Sequence, residues 1–130
     1  MSIRNLKVIL AFDGVTCAAI FLLSLVAAVP IAALLGLPVL VVTVAGWICA
    51  ASAALMFGVA AQAAPNAALT RLIAIGNLGW VAASFAVIAV YAAQLTGIGL
   101  VLIAAQAVAV LGFAILEWKG AAAQSLPATA

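Results

Sequence analysis

Asp13 and Asn77 are the residues of this sequence whose types and positions best fit a chemical role inside an apolar protein. Asp13 follows Lys7 by six residues and Asn77 follows Arg71 by six residues, so each would lie about 9 Å further along a helix than its cation. A charged side chain at the centre of a bilayer costs about 2.5–3.5 kcal/mol on insertion scales, so Asp13 should be paired, hydrated or protonated. We therefore predict an intramembrane polar pair, Asp13 and Asn77, at equal depth.

Other polar and aromatic residues recur at three- and four-residue spacing, the period at which helical side chains share a face. They predict a weakly polar bundle interior lined by Thr16, Ser24, Thr43, Trp47, Trp80, Ser84 and Gln106. In a structural interpretation these groups hydrogen-bond the helices together, each contact contributing on the order of 0.6 kcal/mol. In a functional interpretation they line a path for a proton or small solute, with Asp13 as the titrating group.

The sequence contains no grouping typical of catalysis or metal binding. It has no histidine, the commonest general base and metal ligand. Cys17 and Cys49 form no CxxC pair and fall in apolar runs, so we interpret both as small buried hydrophobic side chains. Glu117, beside Trp118 and Lys119, is interpreted as a charge at the membrane surface. We expect a protein that is not an enzyme and has no metal site and no cofactor.

The composition predicts a lipid environment. The chain is 72% hydrophobic and 5% charged, against about half apolar and about a quarter charged in soluble domains. Its polar residues are too few to cover a water-soluble globule, and its net charge of +2 is too small for a nucleic-acid surface. Apolar runs such as 21–29 and 81–90 lack the alternation of barrel strands, which leaves helices as the membrane-compatible backbone.

Four apolar segments are long enough to cross ~30 Å of hydrocarbon, which takes about 20 helical residues. We predict a single transmembrane bundle over residues 1–130 with short loops and a flexible C-terminal tail at 120–130; its spans are 8–29, 39–62, 70–93 and 97–118. The apolar segment 31–35 is too short to cross and either lies at the interface or extends the first helix beyond a kink at Pro30. Asp13 would interrupt the centre of a signal peptide, so we expect a permanent first helix.

The positions of the cations predict the orientation. With four spans, the N-terminus, the loop between the second and third spans and the C-terminus share one side. Every cation falls on that side: Arg4, Lys7, Arg71 and Lys119. By the positive-inside rule that side is cytoplasmic. The fold class is therefore predicted as an all-α membrane protein, a four-transmembrane-helix bundle with both termini inside, in a bacterial cytoplasmic (inner) membrane.

A stripe of small residues on the second helix predicts a packing face. Gly46, Ala50, Ala54 and Gly58 recur every four residues, a spacing that lets helix backbones approach closely. Whether the partner is internal or another protein stays open at this stage. The leading hypothesis is a non-enzymatic membrane protein acting through helix packing, as an accessory subunit, assembly factor or homo-oligomer. Its partners would be the lipid bilayer, other membrane helices or a second copy, and no nucleic acid.

The alternative hypothesis is a small proton-coupled transporter or channel-forming protein centred on Asp13. Four short spans with an acidic residue early in the first helix resemble the small multidrug resistance transporters. The resemblance implies that Asp13 would exchange protons for cationic drugs, as a conserved glutamate does in that family. It covers Asp13 alone: the family has Glu at this place, its surrounding motifs are absent and this chain is longer. Membership is not inferred.

Overall fold

The computed structural model describes residues 1–127, which form four long helices and no strand. The helices are α1 (Ile3–Leu35), α2 (Val39–Ala60), α3 (Ala67–Val90) and α4 (Gly97–Gln124). Each is long and apolar enough to cross a membrane. The prediction of an all-helical chain with four such segments is confirmed.

Helix α1 continues through Pro30. Proline has no N–H to bond the carbonyl one turn earlier, and the chain adapts at Ala27, whose φ of −140° and ψ of 31° are not helical. The helix resumes and ends at Gly36, where φ is 75° and the backbone N–H bonds the Ala32 carbonyl, as in left-handed helix caps. Segment 31–35 thus extends α1 beyond a kink and is not a separate segment at the membrane interface.

Helix α4 runs to Gln124, beyond the predicted end at residue 118. Its last turns are held because Gly120 and Ala121 are buried, and a Cβ at Gly120 would stand 2.5 Å from Leu6 Cδ1 of α1. The expectation of a flexible tail from residue 120 is therefore wrong for 120–124, where small residues let the helix pack on α1. The part of that tail at 128–130 lies outside the described residues.

The helices pack as two hairpins. Helix α1 packs chiefly on α2 and α3 chiefly on α4; α1 also packs on α4, and α2 packs on α3 less extensively. The two hairpin turns interlock, because Thr96 donates from its backbone N–H to the Leu35 carbonyl at 3.1 Å and from its hydroxyl to the Leu34 carbonyl at 2.6 Å. At the other end, apolar side chains form the core; they are Leu6, Leu10, Met56, Val59 and Ile73.

The distribution of side chains is the reverse of that in a water-soluble fold. The buried polar residues are Asp13, Ser24, Thr70, Asn77, Ser84 and Glu117. The outer surface carries large apolar side chains, with Val26, Val90 and Leu40 exposed by 79%, 73% and 72%. Soluble proteins bury such residues and keep carboxylates in water. This bundle therefore suits apolar surroundings.

Candidate functional site

The Asn77 side chain joins two carboxyl groups from different helices. Its Nδ2 donates to Asp13 Oδ2 at 2.7 Å and to Glu117 Oε2 at 2.9 Å. One amide on α3 thereby connects α1 to α4 and uses both of its N–H donors. We call Asp13, Asn77 and Glu117 the carboxyl–amide cluster.

The carboxyl–amide cluster is closed off from the surroundings. Asp13 is 1% exposed, Asn77 7% and Glu117 0%. Glu117 Oε1 is buried without a hydrogen-bond partner among the described residues. A buried acceptor left unpaired costs about 1–3 kcal/mol, and more when the group is charged. Glu117 Oε1 is therefore a buried acceptor that the Asn77 amide does not satisfy.

Neighbouring residues hold the cluster in place. Gly14, next to Asp13, lets α2 approach, since a Cβ there would stand 3.0 Å from Phe57 Cε1. The Leu6 and Leu10 side chains lie toward the start of α1 and have no exposed area. With the rest of the apolar core they separate the cluster from the end of the bundle that carries the cations.

The interpretation of Glu117 as a surface charge is wrong. Helix α4 extends to Gln124, so Glu117 lies about 10 Å inside the end of the helix, at a depth like that expected for Asp13. Successive helical residues point about 100° apart, and Trp118 and Lys119 face outward while Glu117 faces the interior. In the sequence, Glu117 lies close to three helical turns after Gln106. This spacing places both residues on one face of α4 and indicates that Glu117 faces inward with Gln106.

A second polar group connects α3 to α4. Trp80 Nε1 donates to Gln106 Oε1 at 2.8 Å, and Gln106 Nε2 donates to Ser84 Oγ at 2.8 Å. Ser84 in turn donates to the Trp80 carbonyl at 2.8 Å. These three residues of the predicted lining therefore hydrogen-bond α3 to α4.

Of the remaining residues of the predicted lining, Ser24 is buried, whereas Thr16, Thr43 and Trp47 are not. Thr16 and Thr43 donate to carbonyls of their own helices at 3.0 Å, a local bond that removes the need for an interior partner. Trp47 is 58% exposed and lies against Phe21, with ring centroids 5.0 Å apart. The prediction that Thr16 and Trp47 line the interior is wrong, because both lie on the outer surface.

The small-residue stripe on α2 packs inside the chain only at its first residue. A Cβ at Gly46 would stand 2.6 Å from the buried Ser24 Cβ of α1, whereas one at Gly58 would meet no atom within 4 Å. Ala50 is half-buried and Ala54 is exposed. The buried face of α2 is rotated from the stripe and consists of Val42, Gly46, Cys49, Ala53, Met56 and Val59.

The four cations lie at one end of the bundle, where α1 and α3 begin and α2 and α4 end. Arg4 and Lys119 are exposed, and Lys7 and Arg71 are half-buried. Arg71 Nη2 donates to Ser125 Oγ at 2.7 Å, which ties the start of α3 to the end of α4. Among residues 1–127, no three His, Cys, Asp or Glu side chains are grouped to hold a metal ion.

Comparisons with protein-family models, with curated proteins and with solved structures found no match to this chain. No family is assigned. The function is therefore inferred from the geometry of the bundle and of the carboxyl–amide cluster.

Proposed function

We propose that this chain is an integral protein of a bacterial cytoplasmic membrane, with four transmembrane helices and both termini in the cytoplasm. The proposal is supported by four long apolar helices that expose large apolar side chains and bury both carboxyl groups. The one-sided placement of the cations supports the orientation, because Lys and Arg are retained on the cytoplasmic side. Retention of the chain in the membrane pellet after alkaline carbonate washing tests the insertion, and its release into the wash would contradict it.

Within the membrane, we propose a role in helix packing, as an accessory subunit, an assembly factor or a homo-oligomer. The observation that supports this role is the use of interior polar groups in bonds between helices. The carboxyl–amide cluster joins α1, α3 and α4, and the Gln106 side chain joins α4 to α3. Such bonds between helices stabilise a bundle.

The exposed part of the small-residue stripe offers a surface for a further helix. Ala54 and Gly58 are exposed, and small residues on a lipid-facing helix allow close approach of another backbone. The test is the mass of the native assembly, purified in mild detergent, for wild type and for Ala54→Leu with Gly58→Leu. We expect the double variant to release a partner or second copy. Gly112→Leu is the matched control, since Gly112 is also exposed with no atom near its Cβ position.

The second candidate function is proton-coupled transport, or a channel, centred on Asp13. One observation favours it: two buried carboxyl groups lie at one amide, and one of their oxygens has no partner. Intramembrane carboxyl groups of this kind serve as proton relays in transporters. The test is pH-driven flux of protons or a cationic dye in reconstituted vesicles. Equal flux with wild type and with Asp13→Asn would exclude the carboxyl mechanism.

A further inference from the structure

The carboxyl–amide cluster contains every acidic side chain of the protein. The sequence has two acidic residues, Asp13 on α1 and Glu117 on α4, and the fold brings both to the Asn77 nitrogen. The two acids thus meet in the interior, although they lie 104 positions apart in the sequence. Both helices that carry them are otherwise largely apolar. A stable bundle must compensate for their charge and satisfy their oxygens.

One buried oxygen of the cluster, Glu117 Oε1, has no hydrogen-bond donor among the described residues. The Asn77 amide has two N–H hydrogens, and both are directed to carboxyl oxygens. Glu117 Oε1 receives none from residues 1–127, and Asp13 Oδ2 and Glu117 Oε2 lie 2.7 and 2.9 Å from the same Asn77 nitrogen. A carboxyl group becomes a donor when it carries a hydrogen. One O–H on either acid would therefore supply the missing donor to the other.

Nearby residues do not supply a compensating positive charge. Cys17 of α1 is half-buried and Cys49 of α2 is buried, and a cysteine side chain carries no positive charge. On α3, the Arg71 guanidinium donates to Ser125; on α4, Lys119 is exposed. Two carboxylates at one site cannot both stay ionised at low cost without a cation.

We propose that the carboxyl–amide cluster is a proton-binding site that holds one proton, shared between the Asp13 and Glu117 carboxyl groups. The proton forms the O–H group of one acid, and this O–H donates a hydrogen bond to the other acid. No other covalent bond forms or breaks. The inference rests on the proposed membrane insertion, and it holds for either role in the membrane. A metal cation does not fit in its place, because Asn77 directs N–H donors into the cluster and hard cations need several oxygen ligands.

The apolar core makes the bound proton slow to exchange with water at the cation-bearing end. Leu6 and Leu10 precede Asp13 on α1, Ile73 precedes Asn77 on α3, and all three are buried. Release toward that end requires these side chains to separate. The apolar core therefore separates the bound proton from water at that end of the bundle.

Infrared spectroscopy of the full chain in lipid bilayers at neutral pH tests the proposal. The C=O stretch of a protonated carboxyl group is separate from the carboxylate bands, and the chain has two acidic side chains that could produce it. We expect a band equivalent to one protonated carboxyl group per chain. It should be lost in Asp13→Asn and in Glu117→Gln, because the new amide supplies the missing N–H donor. The double variant gives the background from the chain terminus.

Isotope labelling makes the test independent of whether the variants fold. The chain has one aspartate and one glutamate, so ¹³C-carboxyl aspartate or glutamate labels a single acid in wild type. A shared proton predicts that each label shifts part of the band. Absence of the band, a shift of the whole band by one label, or persistence of the band in a folded single variant would overturn the proposal. Carbonate washing reports separately on membrane insertion, so failure of the proposed function is distinguishable from failure of this inference.

Discussion

The Asn77 amide nitrogen lies 2.9 Å from Glu117 Oε2, and this bond connects the middle of α3 to the last third of α4. The same nitrogen donates to Asp13 of α1. The amide is thus the one polar group of the cluster that touches both acids, and the stability of the bundle should depend on it.

Replacing Asn77 with Leu should strongly destabilise the bundle. Both carboxyl groups lose their visible donor, at about 1–3 kcal/mol for each buried group left unpaired. The measurement is the free energy of unfolding in mixed micelles. Thr16→Val is the matched control, because the Thr16 hydroxyl bonds its own helix on an exposed face. Equal stability of the two variants would show that the cluster contributes nothing to the fold.

Asp13→Asn should be tolerated and Asp13→Leu should not. The asparagine keeps an oxygen for the Asn77 donor and adds an N–H for Glu117, while it removes one buried acid. We expect unfolding free energies equal to or above wild type for Asn and lower by about 1–3 kcal/mol for Leu. Similar losses for both substitutions would mean that the charge of Asp13, and not its hydrogen bonding, stabilises the protein.

Gly99→Ala should disrupt the interlocked turns. A Cβ at Gly99 would stand 2.1 Å from the Leu35 carbonyl oxygen, so α4 must move away from α1, and overpacking of this kind costs about 1–3 kcal/mol. Thermal unfolding in detergent measures the loss. The control is Gly112→Ala, which meets no atom within 4 Å and should be neutral or stabilising by up to about 1 kcal/mol.

Reporter fusions should locate the cation-bearing end of the bundle in the cytoplasm and the other end on the opposite side of the membrane. Fusions after residue 66 and at the C-terminus should be cytoplasmic, and fusions near Gly36 and Thr96 should lie on the opposite side. Gly36 and Thr96 lie in the two hairpin turns that contact each other, so their reporters must agree. A cytoplasmic signal at Gly36 would contradict the four-span orientation.

Cys17 and Cys49 should react slowly with a water-soluble maleimide in intact membranes. Cys49 is buried and Cys17 is half-buried, both within helices predicted to span the membrane, where thiolate formation is disfavoured. Gln94→Cys, at an exposed position in the turn on the side opposite to the cations, is the positive control. Rapid labelling of either native thiol would indicate an aqueous path and would favour the transport hypothesis.

The sequence by itself determined the helical class and the number of apolar helices. Composition and uninterrupted apolar runs suffice for this, because a backbone without water must satisfy its own hydrogen bonds, which a helix does locally. The one-sided distribution of Arg4, Lys7, Arg71 and Lys119 is likewise a property of the sequence.

Only the tertiary structure decided which polar residues meet. Glu117 joins the cluster because α4 extends to Gln124 and turns that side chain inward, and neither fact follows from its neighbours Trp118 and Lys119. Thr16 and Trp47 do not line the interior. The Thr16 hydroxyl bonds a carbonyl of its own helix, and the Trp47 indole lies against Phe21 on an apolar surface. Helical periodicity states which residues share a face, but the rotation and depth of each helix depend on close packing at contacts such as Gly46 with Ser24, between residues distant in the chain.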